Sequence, residues 1–281
     1  MANPIGENGT HYRTERYVDQ IVPLYKKELN IRADFMKDYE GSPVAGAVQV
    51  PVRDTNPAIG NYDVSTGGAL SQSATTYLNI AVDTDIFVNE LCDGYEAAAV
   101  SDDMKAQRLE AGAYALGLNL ELKAITELET YGTKENSTTA LTNENVYKAI
   151  KDSVVAIKKQ GIDVKFIKVK VNADVEALLM EDTKFSNSAG SLGAELLRSG
   201  VIGKIAGAEV KPSYNMSATT EYMVYATPWC QAGEEFRVGL GFKDLTNEFI
   251  GSSALQGRVV PFQKLTKTTA CRVKETATVS A

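Results

Sequence analysis

The sequence predicts an α+β fold, and three features support this prediction. A proline-free stretch from Ser101 to Gly132 is rich in Ala, Leu, Glu and Lys, which favour helix. Residues 46–83 have strand-like ends around a polar middle that is poor in core residues. From residue 140 to residue 250, helix and strand patterns alternate as in an α/β module. The chain is therefore expected to combine a long helix, a protruding hairpin and a separate mixed layer.

The long helix is the element that the rest of the chain is organised around. Ser101 is its expected N-cap, because Asp102 and Asp103 follow in the first turn, where the helix dipole favours acidic side chains. Gly132, directly after Tyr131, is the expected stop. At ~1.5 Å per residue this helix is roughly 45 Å long, several times the usual three turns.

Apolar residues form two stripes on opposite sides of this helix. One stripe is Leu109, Ala113, Leu116, Leu120 and Ala124, and the other is Met104, Ala111, Tyr114, Leu118, Leu122 and Ile125. The polar edges between them carry Lys105, Arg108, Asn119 and Lys123 on one side and Asp103, Glu110 and Glu121 on the other. Because burial of a large apolar side chain stabilises by ~1.5–3 kcal/mol, we expect both stripes to be covered and both edges to be free for other contacts. An ordinary long core helix in a globular domain is the alternative.

Residues 1–45 are expected to form an N-terminal arm. A lead rich in Gly and Asn is followed by scattered apolar and charged residues, and Pro23 interrupts any helix there. We expect the arm to lie along other surfaces, with a short helix after Pro23. A frayed terminus is the alternative.

Residues 46–83 are predicted to be an extended hairpin. The alternating apolar residues of its two strands are Val48, Val50 and Val52 in the first and Leu78, Ile80 and Val82 in the second. The residues between them are dense in Gly, Asn, Ser and Thr, and a loop of this length is usually functional. Since it has few core residues of its own, we expect a neighbouring chain to order it.

The remainder of the chain is assigned in order. Residues 84–100 are expected to include a short helix that leads into the long one. In the module from 140 to 250, Asn143 is the expected cap of a helix that ends at Gly161. The core-facing residues predicted for this module are Val146, Ile150, Val154 and Ile157 on the helix and Ile167, Val169 and Val171 on the next strand. A second helix over 173–182, further strands and a turn near Pro228 and Trp229 follow.

The last segment, 251–281, is rich in strand-forming residues. We expect it to return beside the long helix. The first body of the protein is then discontinuous, with residues 140–250 inserted into it.

Composition excludes several classes of protein. With 29 basic and 36 acidic residues the formal net charge is −7, which disfavours a protein that grips nucleic acid. Cys92, Cys230 and Cys271 are far apart, which indicates buried thiols in a reducing cytoplasm rather than a disulfide framework. The polar N-terminus does not resemble a signal peptide, and no apolar run reaches the ~20 residues that cross a bilayer. The sequence therefore predicts a soluble product of the cytosol.

Signals for catalysis are weak. The one histidine, His11, lies in the polar lead, which disfavours a Ser-His-Asp site or a histidine cluster for zinc. Asp83 and Asp85 could bind a divalent cation as a carboxylate pair, although strand-end and N-cap roles are commoner. The sequence predicts no catalytic, cofactor-binding or metal-binding residue and no cofactor.

Other local motifs have simpler explanations than chemistry. The segment from Ser199 to Ile205 lacks the spacing of a phosphate loop, and a tight turn explains Gly200 and Gly203 better. The pairs Glu234-Glu235 and Asp102-Asp103 are expected to be solvated charge. The glycosylation-type triplets at Asn136 and Asn215 have no meaning without a secretory signal. For Trp229 and the tyrosines, core or interface packing is favoured over a sugar-binding surface.

The order of these elements resembles the major capsid proteins of tailed bacteriophages, which share the Hong Kong 97 fold. Three stretches are similar to family segments: 164–185, a strand followed by a Leu-rich helix; 199–216, with a Gly-x-Ile-Gly-Lys-Ile-x-Gly-like turn and strand; and 249–274, a closing hairpin and strands. The resemblance covers nearly the whole chain. It implies a Hong Kong 97-like capsid fold with an N-arm at 1–45, an extended loop at 46–83, a peripheral domain with the spine helix at 84–139, an axial domain at 140–250 and returning peripheral strands at 251–281.

The resemblance also implies a function and partners. It implies a structural protein, not an enzyme, that self-assembles into hexamers and pentamers of an icosahedral phage head. The implied partners are other copies of the chain, a portal, a separate scaffolding protein and enclosed double-stranded DNA in weak, non-specific contact, with no membrane. The implied location is the virion capsid, assembled in the cytoplasm of a bacterial host.

One departure from the family pattern is informative. In some members, an isopeptide bond from an extended-loop lysine to a neighbour's asparagine crosslinks the subunits covalently. From Ala45 to Asp85 this chain has no lysine, only Arg53, so no such crosslink is expected. No cleavable N-terminal scaffold segment is expected either. The alternatives are an encapsulin-type nanocompartment shell and, less favoured, a small-molecule α/β enzyme using Asp83 or Asp85.

Overall fold

The computed structural model of the protein contains helices, and its strands form three sheets. The residues that it describes are 26–40, 47–52, 59–68, 75–94, 104–135, 138–182, 185, 202–245 and 249–276. Several of the predicted features lie outside them, namely His11, Pro23, Ser101, Asp102, Asp103, Asn136, Gly200 and the arm before residue 26.

The helices and strands follow one another in a mixed order. Within the described ranges, the helices are α1 (Met104–Tyr131), α2 (Val146–Lys158) and α3 (Ala173–Glu181), with short 3₁₀ turns at Arg32–Asp34, Val164–Phe166, Thr227–Trp229 and Thr268–Ala270. The strands are β1 (Met36–Glu40), β2 (Ala47–Val52), β3 (Thr76–Ala81), β4 (Ile86–Cys92), β5 (Thr133–Lys134), β6 (Ile167–Val171), β7 (Gly203–Ile205), β8 (Ala208–Pro212), β9 (Thr220–Ala226), β10 (Cys230–Asp244), β11 (Ser253–Leu265) and β12 (Cys271–Glu275).

Three sheets organise these strands. A four-stranded sheet has the order β1-β10-β11-β4, a six-stranded sheet has the order β5-β12-β9-β6-β8-β7, and β2 pairs with β3 alone. The two longest strands, β10 and β11, pair antiparallel from Cys230↔Leu265 to Asp244↔Ser253. Strands from both sides of residue 250 share sheets, since β10 pairs with β11 in the four-stranded sheet and β9 pairs with β12 in the six-stranded one. The five predicted domain ranges therefore stay a prediction.

The main core lies between the six-stranded sheet and helices α2 and α3. Every core-facing residue predicted for α2 and β6 is buried there, with side chains at most 1% exposed. Gly161, three residues after the end of α2, has a φ of +83°, which a residue without a Cβ adopts at little cost. The predicted cap is wrong by two residues: the N-cap is Asn145, whose side-chain oxygen accepts the backbone N–H of Thr142.

The second core covers the C-terminal half of α1. Ala124, Ile125 and Leu128 are at most 2% exposed and pack against the opposite face of the six-stranded sheet and against Ile31 and Phe35. The helix ends at Tyr131, and the backbone N–H of Gly132 donates to the Leu128 carbonyl, as predicted for the stop.

The N-terminal half of α1 is only partly covered within one chain. Leu109 is 37% exposed and Ala113 on the same stripe is exposed too, and in the C-terminal half Leu122 on the other stripe is 43% exposed. The expectation that both stripes are covered therefore holds within the described chain at Ala124 and Ile125, and it stays a prediction for the rest. One polar edge was misjudged, because Glu121, expected to be free, is 1% exposed.

Strand pairing bears on two further expectations, for residues 84–100 and for Gly203. A short helix was expected within residues 84–100; of these, Ile86–Cys92 is β4 and pairs with β11, and residues 95–100 lie outside the described part of the chain, so the helix stays a prediction. Gly203 lies in β7 rather than in a turn, and a Cβ there would come within 2.3 Å of the Phe185 ring. The turn is formed instead by Ala206 and Gly207, both with positive φ.

Candidate functional site

The segment from Lys26 to Phe35 is bound along α1 by a buried carboxylate. Glu121 on α1 accepts the backbone N–H groups of Asn30 and Ile31 on Oε1, at 3.0 and 2.7 Å, and that of Arg32 on Oε2 at 2.8 Å. A carboxylate that is removed from water needs such donors, since an unpaired buried charge is costly. Glu121 therefore serves as the hydrogen-bond acceptor for one turn of the arm.

A buried lysine holds the same turn from the sheet side. Lys170 on β6 is 1% exposed, and its Nζ donates to Asp34 Oδ2 at 2.9 Å and to the Asn30 carbonyl at 3.1 Å. The hydroxyl of Tyr225 on β9 donates to the same Asp34 oxygen at 2.7 Å. Burial lowers the pKa of Lys170 and raises the pKa of Tyr225 well above its usual value. The arm thus closes a polar cluster that the sheet alone would leave exposed or unpaired.

Arg32 extends this cluster to the four-stranded sheet. Its Nη2 lies 3.5 Å from Glu234 Oε1 on β10, and burial lowers the pKa of the guanidinium. Glu234 was expected to be solvated charge, and this is wrong, because it faces Arg32 and also accepts from Arg237 at 3.4 Å. The reason is the parallel pairing of β1 with β10, which brings the arm beside this strand.

Contacts nearer the start of the described arm are polar and more exposed. The backbone N–H of Lys27 donates to the Tyr114 hydroxyl at 2.8 Å, and its Nζ donates to the Tyr214 carbonyl at 2.9 Å. The side-chain amide of Asn215 donates to the Glu28 carbonyl at 2.8 Å. The arm prediction is therefore correct in that this segment lies along other surfaces, but from Lys26 onward those surfaces belong to its own chain.

Sequence reasoning missed this cluster. Glu121 and Lys170 each lie among apolar residues in positions that a periodic pattern assigns to a polar face. The one signal was Lys170 itself, a charge in a strand whose residues Val169 and Val171 are both buried.

The hairpin of β2 and β3 has a small anchor and an exposed tip. The strands pair antiparallel from Ala47↔Ala81 to Val52↔Thr76, as predicted. Val48 and Ile80 pack on Phe262 of β11. In the described part of the tip, Ile59 is 99% exposed and Val64 is 92% exposed. Such apolar exposure at a protruding tip is typical of a surface that another chain covers.

The acidic pair at the base of the hairpin is used for structure. Asp85 accepts from Arg258 Nε at 2.9 and 3.1 Å and also pairs with the Nη2 of that residue, and this arginine holds the pKa of Asp85 below its usual value. Asp83 accepts from the Thr84 hydroxyl at 3.2 Å. Within the described residues, no group of three or more His, Cys, Asp or Glu side chains is placed to hold a metal ion.

Two of the tyrosines, the tryptophan and the cysteines contribute to packing. Tyr222 and Tyr225 are at most 2% exposed, and Trp229 packs against the main core. The three cysteines are free and buried, as predicted. Among the helices of the described ranges, none is long and apolar enough to span a bilayer.

Buried thiols and phenols predict a loss of stability in alkali. Burial raises the pKa of Cys271 from 9.0 to about 12 and that of Tyr222 from 10.0 to about 12. Between those values the folded chain binds more protons than the unfolded chain, so the free energy of unfolding falls as the pH rises. We expect the urea midpoint to decrease steadily above pH 9, and to decrease less steeply in Cys271→Ala. A midpoint that is constant from pH 8 to pH 11 would contradict this.

Comparison with known proteins finds similarity in structure but not in sequence. No protein-family model matches the chain, and no curated protein is significantly similar in sequence. A chain from Mycobacterium phage Che8 is similar in structure with a TM-score of 0.74 at 18% identity, covering 95% of this chain and 98% of its own. The capsid of cyanophage P-SCSP1u gives 0.73 at 10% identity, covering 98% and 97%, and the mature capsid of bacteriophage PhiM1 gives 0.71 at 12%, covering 98% and 95%. The chain has the fold of these phage capsid structures, which confirms the predicted α+β capsid-type fold class.

Proposed function

We propose that the chain is the major capsid protein of a tailed phage, which assembles into hexamers and pentamers of an icosahedral head. The observation that supports this best is a likeness of fold that extends over almost the whole chain and almost the whole of each phage capsid chain compared with it. A partial match would leave room for another function in the unmatched part. The comparisons do not favour an encapsulin-type shell.

The surfaces that one chain leaves uncovered support assembly. The hairpin tip exposes Ile59, Tyr62 and Val64, and the outer face of β4 exposes Phe87 to 72%. Burial of such side chains against other copies would stabilise a shell by ~1.5–3 kcal/mol for each large one. We therefore propose that residues 46–83 act as an extended loop that reaches a neighbouring copy.

The rest of the proposal concerns organisation and partners. We propose an N-arm at 1–45, a peripheral domain at 84–139 with returning strands at 251–281, and an axial domain at 140–250. The role is structural and non-enzymatic, in the virion, after assembly in the host cytoplasm. A portal, a separate scaffolding protein and weakly bound duplex DNA are the proposed partners.

Negative-stain microscopy of the purified full-length chain tests this function. We expect closed particles from the wild-type protein. Val64→Asp should give a folded chain that does not assemble, because it replaces an exposed apolar side chain of the tip by a charged one. Asn61→Asp is the matched control, since it adds the same charge at an exposed position of the same tip without removing apolar surface, and it should still assemble. A wild-type chain that stays monomeric at high concentration would contradict the proposal.

Assembled particles should contain no isopeptide crosslink. The segment from Ala45 to Asp85 carries no lysine to form one. Boiled particles on a denaturing gel are expected to give a single band near 30.3 kDa. A ladder of covalent multimers would show that another lysine performs the reaction.

A further inference from the structure

One face of the six-stranded sheet is basic along β6, β8 and β7. The residues Ile167, Val169 and Val210 face the main core, and because side chains alternate across a strand, their neighbours face the other way. We call this the basic sheet face, formed by Lys168, Lys204, Glu209 and Lys211.

The strand register brings these charges into two rows. Lys168 pairs with Glu209, which pairs with Lys204, so one row crosses three strands. Lys170 pairs with Lys211 in the next row. Since neighbouring strands are ~4.8 Å apart, the outer lysines of the first row are separated by about 10 Å at their Cα atoms.

The charges of this face do not cancel. Glu209 Oε2 accepts from Lys168 Nζ at 3.1 Å, and Lys170 is taken up by Asp34. Among the described residues, Lys204 and Lys211 have no ion-pair partner. Three lysines against one glutamate leave two positive charges in excess, in a chain whose formal net charge is −7. The pKa of Glu209 is lowered by the hydrogen bond from Lys168 and by the field of all three lysines.

We propose that the basic sheet face contacts the phosphate backbone of enclosed duplex DNA, so that this side of the sheet forms the inner wall of the shell. This rests on the proposed capsid function. A flat face with spaced lysines suits a repeating polyanion that is bound without sequence preference. An acidic protein partner would be expected to need apolar anchors as well, and the outward-facing residues of these strands are charged.

Few contacts per copy give weak binding whose dependence on salt is set by the number of those contacts. Each lysine–phosphate contact adds about 0.9 to the slope of log K against log salt concentration. Lys170, on the same face, is already covered by the arm turn at Asp34, so the arm lies on the proposed inner side.

The test is binding of the full-length, unassembled chain to a duplex of 30 base pairs in 50–200 mM NaCl. The face variant is K168A/K204A/K211A, and the control is K148A/K151A/K159A on and just after α2, with the same loss of charge. We expect the slope to fall by about 2–3 in the face variant and to change by less than about 0.5 in the control. Equal changes in both variants, or wild-type protein that does not bind at 50 mM salt, would overturn the proposal.

Lysine acetylation of the wild-type chain gives a second readout that does not depend on how a variant folds. Duplex should protect Lys204 and Lys211 but not Lys151. Polyglutamate that protects these lysines when duplex does not would overturn the proposal in favour of an acidic protein partner. Particle formation is scored separately by microscopy, so particles with an unchanged slope would reject this inference and leave the proposed function standing.

Discussion

Replacement of Glu121 by alanine is expected to lower the free energy of unfolding by at least about 3 kcal/mol. The substitution leaves the backbone N–H groups of Asn30, Ile31 and Arg32 without their acceptor. Each buried donor left unpaired costs ~1–3 kcal/mol, and three of them lie in one turn. The measurement is urea unfolding of the unassembled full-length chain at fixed protein concentration.

Two variants separate this effect from the loss of a surface charge. Glu110→Ala, on the same helix, removes a carboxylate that is 70% exposed and pairs with Lys26, and its cost should stay within about 1 kcal/mol. Glu121→Gln keeps one acceptor oxygen and should lie between the two. Limited proteolysis should also cut near residues 26–35 sooner in Glu121→Ala. Equal costs for Glu121→Ala and Glu110→Ala would show that the carboxylate does not hold the arm.

Periodicity in the sequence was enough to predict the elements that bury one face. Ile150 and Val154 recur at helix spacing, and Ile167 and Val169 recur at strand spacing. Each pattern therefore identifies a single face of its helix or strand as the buried face. The hairpin was predictable for the same reason. Local chemistry also identified the end of α1 at Gly132 and the turn at Gly161, because glycine marks such positions.

The polar cluster under the arm could not be predicted in this way. Glu121 and Lys170 lie at positions that a linear pattern assigns to a solvated face, and they are buried only because a segment about 90 and 140 residues away in sequence lies over them. Contacts between segments so far apart in sequence depend on the tertiary structure and leave no local pattern. The same holds for β4, whose charged and apolar residues alternate irregularly and become a strand through pairing with β11.

The arm and the basic sheet face are connected through Lys170. This residue belongs to the same strand face as Lys168, but it is covered by the arm, whereas Lys168 stays a quarter exposed. One lysine of this face is covered and contributes to fold stability, whereas the others stay open for an outward contact. Substitutions at the two positions should therefore affect different measurements.

Replacement of Lys170 by methionine is expected to lower the free energy of unfolding by about 3 kcal/mol. The apolar side chain has a similar length, but it leaves Asp34 with the Tyr225 hydroxyl alone and leaves the Asn30 carbonyl without a donor. An ion of a buried pair that loses its partner is penalised by its own desolvation. Asp34 keeps 21% of its side-chain surface in water, which places the cost at the lower end of the usual range.

The double variant Lys170→Met with Asp34→Asn tests whether the pair is the cause. Removal of the second charge should recover about 1–2 kcal/mol relative to Lys170→Met alone, since no buried ion is then left unpaired. Lys168→Ala is the control on the same strand, where a partly exposed pair with Glu209 should contribute at most about 1 kcal/mol. If the two substitutions are additive, the cost of Lys170→Met does not come from the charge left unpaired on Asp34, and the arm turn would then be held mainly by Glu121.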